Sequence, residues 1–377
     1  MKKFTRVGYI ICIAFTVSLT LSGCTIRGVP REKINIDGKE ITILSTSPSL
    51  KSEKVVPSDD FTIEKISLYN GIRGEDWLSD DTILITKENA EMEPIAVFDQ
   101  MSKIRNLYSY NLKTGEEKSI YDETEYMWMP IISPDKKYIF SENVKSGNYS
   151  GLILDLDGQV KATVKEDTAK GFHISFNNAK WVDKETVIVP TSGDGVSLIN
   201  VNSNILHIED IGEMQTDSAV MVGNKIYYVS VERNLIAYDI NSKQKEIVKK
   251  NVLNFELSPN KDLFAIEKKI SEGKNALMII DVDGNEKTTL TEGKMVFGIS
   301  WSPDQSKIAY VVTTIDESNS GLYVMDLNSQ NSLYVSSDYL GIDNGLKWSP
   351  SSDKILASIV EVKEMKAIDN TYVITLN

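Results

Sequence analysis

Few side chains in this sequence suit an enzyme active site or a metal centre. There are two histidines, His173 and His207, and two cysteines, Cys12 and Cys24. Both cysteines lie near the start of the chain, so the remainder has no disulfide and no thiolate metal cluster. Zinc sites and most nucleophilic mechanisms combine histidine with further His, Cys or acidic groups. We therefore expect no metal ion, no cofactor and no histidine-dependent catalysis.

Carboxylates are the remaining candidates for catalysis. Asp155–Gly158 and Asp281–Gly284 both have the pattern Asp-x-Asp-Gly, but neither continues into the ligand pattern of a calcium-binding EF-hand. A glycoside hydrolase or lyase needs two carboxylates at a set separation, and the sequence cannot select a pair among 54 acidic residues. No Gly-x-Ser-x-Gly nucleophile elbow is present. The chain is more simply a binding protein than an enzyme, with carboxylate-based catalysis on glycans or other envelope substrates as the alternative.

Cys24 supports a different kind of chemistry. Three cations precede an uncharged apolar stretch, Val7–Leu21, that is shorter than the roughly 20 residues of a membrane-spanning helix. The stretch ends in Leu21-Ser22-Gly23-Cys24, which resembles the lipobox of bacterial lipoproteins. The resemblance implies that the Cys24 thiol receives a diacylglycerol and that cleavage follows Gly23. An uncleaved anchor helix or a plain secretory signal is the competing interpretation.

A lipobox predicts where the protein resides. Residues 1–23 would be a signal peptide, and Cys24 would become an acylated N-terminus at the extracytoplasmic face of the cell membrane. Apolar and polar residues alternate on both sides of Asp37-Gly38, which predicts a hairpin over residues 34–43. Residues 45–60 are rich in Ser, Thr, Pro and Asp, and this composition favours a flexible tether. The net charge of -13 argues against a nucleic-acid partner, because an acidic body repels phosphates.

Internal repeats organise residues 61–377. Each unit begins with an apolar residue or Trp, continues through a Ser-Pro-Asp-like turn into an apolar strand, and ends near an Asp-Leu or Asp-x-Asp-Gly turn. Unit starts recur about every 45 residues. The clear starts are Trp301-Ser302-Pro303-Asp304, Trp348-Ser349-Pro350, Ile132-Ser133-Pro134-Asp135 and Leu257-Ser258-Pro259-Asn260, and degenerate ones lie at Trp77, Trp181 and Val220.

Four short antiparallel strands per unit is the pattern of a propeller blade. Proline and the short polar residues favour tight turns, and the apolar runs between them are too short for core helices. Repeat folds made of helices need amphipathic 3.6-residue periodicity, which the sequence lacks. We therefore predict an all-β protein, a β-propeller of about seven four-stranded blades. Six blades would result if the degenerate units near 181 and 220 merged.

These units resemble the Trp-Ser-Pro-Asp-Gly-x-x-Ile-Ala-Phe repeats of TolB-like propellers. The resemblance covers about residues 60–377 and is closest over 255–360, whereas the third and fourth units lack the proline. We expect no counterpart of the separate N-terminal domain of TolB. The resemblance therefore implies the fold and does not transfer the partners of TolB.

The seventh unit needs a strand from elsewhere in the chain. It ends in its third strand, at residues 373–376. We predict that Phe61–Tyr69 supplies the fourth strand, because this closure joins both ends of the propeller in one blade and leaves no open sheet edge.

The variable loops of this propeller predict a binding face. The longest is Lys87–Asn106, which contains Phe98, and the inter-blade segment with Tyr126 and Trp128 should lie beside it. We predict a binding face for an unknown protein or cell-envelope component, formed by Phe98, Tyr126, Trp128 and His173. The competing interpretation is that these residues plug the channel or cover a blade and that His173 is structural. Trp77, Trp181, Trp301 and Trp348 recur at blade starts, which indicates core packing.

Overall fold

The structure is a computed structural model that describes residues 31–36, 39–44, 61–97, 100–145, 148–165, 178–191, 195–209, 211–212, 214–315, 319–338, 342–363 and 366–377. Cys24, the tether at 45–60, Phe98 and His173 lie outside the described residues. Within the described ranges, no helix is long and apolar enough to cross a membrane.

Seven four-stranded antiparallel sheets form the blades of a β-propeller, as predicted. The strands of each blade are given in order from the axis outwards. Blade 1 consists of β4 (Arg73–Ser79), β5 (Thr82–Glu88), β8 (Arg105–Asn111) and β9 (Glu117–Tyr121), and blade 2 of β10 (Tyr126–Ile132), β11 (Tyr138–Lys145), β12 (Asn148–Asp155) and β13 (Val160–Lys165). Blade 3 consists of β14 (Lys180–Trp181), β15 (Thr186–Thr191), β16 (Gly195–Asn200) and β17 (Ile205–Ile208), and blade 4 of β18 (Met214–Val222), β19 (Lys225–Ser230), β20 (Asn234–Asp239) and β21 (Lys245–Lys250).

Blades 5 to 7 complete the ring. In the same order, blade 5 consists of β22 (Val252–Leu257), β23 (Leu263–Ser271), β24 (Lys274–Asp281) and β25 (Glu286–Gly293). Blade 6 consists of β26 (Met295–Trp301), β27 (Lys307–Thr313), β28 (Gly321–Asp326) and β29 (Ser332–Ser336). Blade 7 consists of β30 (Ile342–Trp348), β31 (Lys354–Lys363), β32 (Lys366–Leu376) and β3 (Ile63–Asn70). Two small hairpins stand outside the blades: β1 (Arg31–Ile36) with β2 (Lys39–Leu44), and β6 (Ile95–Val97) with β7 (Gln100–Ser102).

The N-terminal strand closes the ring, which confirms the predicted closure. β3 pairs with β32 along its length, from Ile63 opposite Leu376 to Asn70 opposite Asn370. Ile66 is buried in the core of blade 7. The hairpin predicted around Asp37-Gly38 is also present, with Ile36 opposite Lys39.

The Ser-Pro turns impose the same geometry in each clear repeat. In blade 6, the Ser302 backbone N–H donates to the Lys307 carbonyl at 2.9 Å, and the Ser302 hydroxyl accepts from the Lys307 N–H at 2.8 Å. The fourth turn residue has a positive φ although it is not glycine; these residues are Lys136, Lys261, Gln305 and Ser352. The left-handed conformation costs free energy for any residue with a Cβ.

Tryptophans join neighbouring blades, as the repeat pattern indicated. Each indole N–H donates to a backbone carbonyl on the inner strand of the preceding blade, so each ring packs inside the protein. The pairs are Trp77 with Lys347, Trp181 with Ile131, Trp301 with Glu256, and Trp348 with Ser300.

The two rims of the propeller differ. We call the rim with the inter-blade links and the loops between second and third strands the upper rim, and the rim with the other turns the lower rim. Hydrogen bonds between turns of adjacent blades tie the lower rim, for example from Ser351 to Asp80 and from Gln305 to Asp262. Because Ile63 lies opposite Leu376, at the end of β32, the N-terminal chain enters the propeller at the lower rim.

Candidate functional site

Two of the predicted site residues form an aromatic pair on the inner strand of blade 2. The rings of Tyr126 and Trp128 lie 5.8 Å apart, stacked at 29°. Tyr126 is buried and Trp128 is half-buried. Both lie in the upper half of β10, beside the loop that was predicted to contribute to the site. Tyr126 is therefore mainly a supporting residue, and Trp128 offers the accessible part of the pair.

The hairpin β6–β7 from the longest loop packs onto this pair. Val97 is buried against Tyr126 and Val144, with Trp128 at the margin of the same cluster. Phe98 itself and His173 lie outside the described residues, so their predicted role stays a prediction. His207 is on the outer strand of blade 3, where its Nδ1 is 2.8 Å from the Ser197 hydroxyl, a structural hydrogen bond.

A cluster of charged side chains lies beside the aromatic pair at the upper rim. We call Arg73, Glu75, Thr86, Arg105 and Asp369 the rim cluster; it joins blades 7 and 1. Glu75 accepts hydrogen bonds from Arg73 Nε at 3.1 Å and from the Thr86 hydroxyl at 2.5 Å. Asp369 accepts from Arg105 Nη2 at 2.8 Å and lies 3.8 Å from Arg73 Nη1. The two arginines are thus paired with two carboxylates.

Burial controls the electrostatics of this region. It raises the pKa of Glu75 above its ordinary value, although the charge of Arg73 and the hydrogen bond from Thr86 oppose the shift. Burial also raises the pKa of Tyr126, against the nearby charges of Arg105 and Arg73. A carboxyl group whose pKa is raised is a candidate acid or base, but Glu75 is only 2% exposed.

A second group of polar side chains surrounds Glu125, which immediately precedes the first strand of blade 2. Glu125 accepts hydrogen bonds from Asn143 Nδ2 at 2.5 Å, from Lys145 Nζ at 2.8 Å and from the Tyr121 hydroxyl at 3.1 Å. Burial and the charge of Glu125 raise the pKa of Tyr121. Both carboxylate oxygens of Glu125 accept hydrogen bonds from neighbours on blades 1 and 2, so this group helps to fix the link between the two blades.

The rim cluster was not predicted from the sequence. Arg73 and Glu75 precede Trp77 in the first unit, where an inner strand otherwise favours apolar residues, so charged residues on that strand were the available signal. Asp369 is far away in sequence, and only ring closure brings it to blade 1. The pairing of Arg105 with Asp369 therefore requires the tertiary structure.

Exposed apolar side chains are concentrated on the upper rim. Ile315 is 82% exposed, Val362 73% and Met101 71%. Ile315 and Met101 lie between the second and third strands of their blades, and Val362 lies at the upper end of the second strand of blade 7. Val231, Ile270 and Met295 on the same rim are about half exposed. The other exposed large apolar residues in the described part of the chain lie on outer strands: Val160, Ile205, Leu206 and Ile247.

An ion pair spans the lower part of the channel. Lys180 Nζ lies 3.0 Å from a Glu256 carboxylate oxygen, which joins the inner strands of blades 3 and 5 although blade 4 lies between them in the chain. Lys261 also donates to the carbonyl of Val182. Side chains thus obstruct the channel at its lower end.

A third buried carboxylate, Glu267, lies on the second strand of blade 5. Glu267 accepts from Asn275 Nδ2 at 2.7 Å and from the Val296 backbone N–H at 2.9 Å, and burial raises its pKa. Within the described ranges there is no group of three His, Cys, Asp or Glu side chains placed to hold a metal ion. The carboxylates of Asp155 and Asp281 accept hydrogen bonds from backbone N–H groups of their own turns, at Gln159 and Asn285, as turn chemistry predicts.

Comparison with solved structures shows what the fold resembles. An oligogalacturonate lyase in complex with manganese matches at 12% identity and a TM-score of 0.59, over 92% of this chain and 96% of that chain. The uncharacterized protein lmo1340 from Listeria monocytogenes matches at 14% identity and a TM-score of 0.57, over 80% of this chain and 90% of that chain. TolB from Acinetobacter baumannii matches at 15% identity and a TM-score of 0.46, over 71% of this chain and 66% of that chain.

These comparisons concern architecture. No family model matches the sequence. At such low identity, a similar backbone says nothing about the residues of a site. The seven-bladed β-propeller that the repeats implied is the architecture of this chain.

Proposed function

We propose that this protein is a lipid-anchored, extracytoplasmic binding protein whose upper rim contacts a protein partner in the cell envelope. The lipobox at Leu21–Cys24 supports the anchor. The exposed apolar side chains of the upper rim support the binding role, and they are the observation on which the proposal mainly rests. Apolar residues that are exposed together on one face commonly mark interaction sites.

The upper rim has the composition of a protein-binding surface. Ile315, Val362 and Met101 project from loops on a rigid scaffold, which is where binding residues are commonly found. Aromatic and Met residues are enriched in interfaces, and Trp128 and Met101 provide both on adjacent blades. The rim cluster beside them adds charged groups at the margin, which can orient a partner.

The position of the N-terminal strand favours the same function. The chain enters β3 at the lower rim, opposite Leu376. A tether attached to lipid through Cys24 would therefore reach the propeller from its lower side. The upper rim would point away from the lipid surface, where a partner has access to it.

Photocrosslinking in intact cells tests the binding role. A photoreactive amino acid at Ile315 should give a discrete crosslinked protein product, and the same amino acid at Ile247, on an outer strand, should not. Replacing Ile315, Val362 and Met101 with Ser should remove a crosslink formed from position 231. Equal crosslinking from positions 315 and 247 would refute a rim-specific interface.

Acylation is tested separately. Labelled palmitate should be incorporated into the wild-type protein and not into Cys24→Ala, and the variant should be lost from the membrane fraction. Equal labelling of both proteins would contradict lipidation at Cys24. The crosslinking result does not depend on this outcome, since the rim can be tested in either form.

Carboxylate-based catalysis on acidic glycans is the second candidate function. Its support is the raised pKa of Glu75 beside Arg73 and Arg105, and a fold similar to that of an oligogalacturonate lyase. Against it, Glu75 is almost completely buried. Incubation with oligogalacturonate, with and without Mn²⁺, should give no shortened products if the binding role is correct. Turnover that is lost in Glu75→Gln would favour the enzyme.

A further inference from the structure

A cavity of about 320 Å³ lies between blades 5 and 6, near the lower rim. Apolar side chains of both blades form its walls, among them Leu263, Leu290, Trp301 and Met325. The remaining lining residues that the structure describes are threonines and glutamines, so none of them is charged. The cavity is remote from the upper rim, and its role is independent of the function proposed above.

The turn between the third and fourth strands of blade 6 differs from the corresponding turns of blades 2 and 5. In blades 2 and 5, a short turn brings Gly158 or Gly284 so close to the preceding blade that an added Cβ would lie 2.0 or 2.3 Å from a carbonyl oxygen. The Asp281 N–H in that turn donates to the carbonyl of Asn285. In blade 6, Asp326 donates instead to Asn331, so the turn is one residue longer, and it has no glycine. The gap between this turn and blade 5 stays open.

The outer strand of blade 5 does not fill that gap. β25 contributes no buried side chain, whereas β29 in the next blade buries Leu333, Tyr334 and Val335. Thr288 and Thr289 of β25 border the cavity and are exposed. An apolar group from another molecule would cover the parts of Leu263 and Leu290 that the short threonine side chains leave open.

We propose that this cavity binds an extended peptide segment that adds to the outer edge of β25 and inserts one uncharged apolar side chain between the blades. β25 is the last strand of its sheet, so the backbone groups on its outer edge pair with no strand in the described part of the chain. An edge of this kind recruits peptide backbone, and an adjacent pocket selects the side chain. A lipid acyl chain would leave those backbone groups without partners.

Size and charge identify the class of side chain. The cavity lies at the lower end of the roughly 300–1,000 Å³ of ligand pockets, which suits one large aliphatic or aromatic group. A charged side chain would be desolvated among Leu263, Leu290 and Met325 without a counter-charge.

Calorimetric titration of the full chain with a defined peptide tests this site. The probe is acetyl-Ser-Thr-Leu-Thr-Ser-amide, and its analogue has Ala in place of Leu. We expect the Leu peptide to bind about tenfold more tightly than the Ala peptide, since the larger apolar surface is removed from water. A Leu peptide N-methylated on the backbone should also bind at least about tenfold more weakly, because its edge hydrogen bonds are blocked.

Two variants locate the binding. Thr289→Leu places an apolar side chain at the mouth of the cavity and should weaken binding of the Leu peptide by about tenfold or more. The control is Thr163→Leu, an exposed threonine on the outer strand of blade 2, which should leave binding unchanged. Both variants are first shown to melt like the wild type. Absence of binding at millimolar peptide, or equal binding by Thr289→Leu and the wild type, would overturn the proposal.

Discussion

The indole N–H of Trp77 donates to the backbone carbonyl of Lys347 at 2.9 Å, which joins blade 1 to blade 7 across the closure of the ring. The Trp77 side chain is fully buried and packs with Ile83, Leu356 and Val373. The same boundary contains the hydrogen bonds of Thr371 with Gly74 and Ile72. Stability at this boundary therefore depends on residues from both ends of the propeller.

Trp77→Phe should lower the free energy of unfolding by about 2 kcal/mol, because it removes a buried hydrogen bond and leaves a cavity. Urea denaturation followed by circular dichroism measures the change. Trp128→Phe is the matched control, since Trp128 is half-buried and lies away from the closure, and its effect should be smaller. Equal effects of the two substitutions would contradict a special role for the Trp77 contact.

A chain that starts at residue 71 should melt well below one that starts at residue 61. The longer chain retains β3, whose Ile66 is buried while Ile63 and Leu68 pack on the core of blade 7. We expect a loss of at least about 3 kcal/mol from the removed apolar contacts. Differential scanning calorimetry compares the two chains with the full-length protein. If the chain starting at 71 keeps the parent melting temperature, β3 does not hold the ring closed.

The raised pKa of Glu75 predicts how stability depends on pH. The folded protein binds this proton more tightly than the unfolded chain, whose Glu titrates at roughly 4.3. The free energy of unfolding should therefore fall as the pH rises from that value through the raised pKa. The side chain introduced by Glu75→Gln cannot ionise. The free energy of unfolding of the wild type minus that of the variant, measured in urea titrations, should therefore decrease over this pH range.

Glu286 provides the control of opposite sign. Hydrogen bonds from Lys249 and Lys268 lower the pKa of Glu286. The stabilisation by its charged form is present above roughly pH 4.3 and is lost as the pH falls through the lowered pKa. Glu286→Gln should therefore be less stable than the wild type above roughly pH 4.3, and this difference should disappear as the pH falls through the lowered pKa. A flat difference curve for Glu75→Gln above pH 4.3 would show that Glu75 is not perturbed.

Lys136→Gly should raise the free energy of unfolding by about 0.5 kcal/mol. Lys136 adopts a φ of 60° in the first clear Ser-Pro turn. Glycine has no Cβ and avoids the clash of this conformation, and the free energy gained exceeds the additional backbone entropy that glycine loses on folding. Lys136→Ala, which removes the same charge and keeps the Cβ, should show no such gain. Thermal melts of the three proteins decide between these outcomes. A lower melting temperature for the glycine variant would indicate an interaction of the Lys136 side chain.

Local sequence determined the repeating part of this protein. The Ser-Pro turns, the apolar runs between them and the repeated tryptophans specify strands and turns through neighbouring residues, which is why the blades could be predicted. The role of Phe61–Tyr69 also followed, because a seventh unit that lacks one strand requires a partner. The predicted lipobox is equally local, because the cations, the apolar stretch and Leu21–Cys24 all lie within the first 24 residues.

Only the tertiary structure determined which side chains meet. Arg105 and Asp369 are 264 residues apart and pair because the ring closes, and Lys180 reaches Glu256 because blades 3 and 5 face one channel. The cavity beside Trp301 is lined by residues of blades 5 and 6, which only the packing of the two blades brings together. Periodic patterns encode single blades, whereas the contacts between blades depend on distances that no local pattern contains.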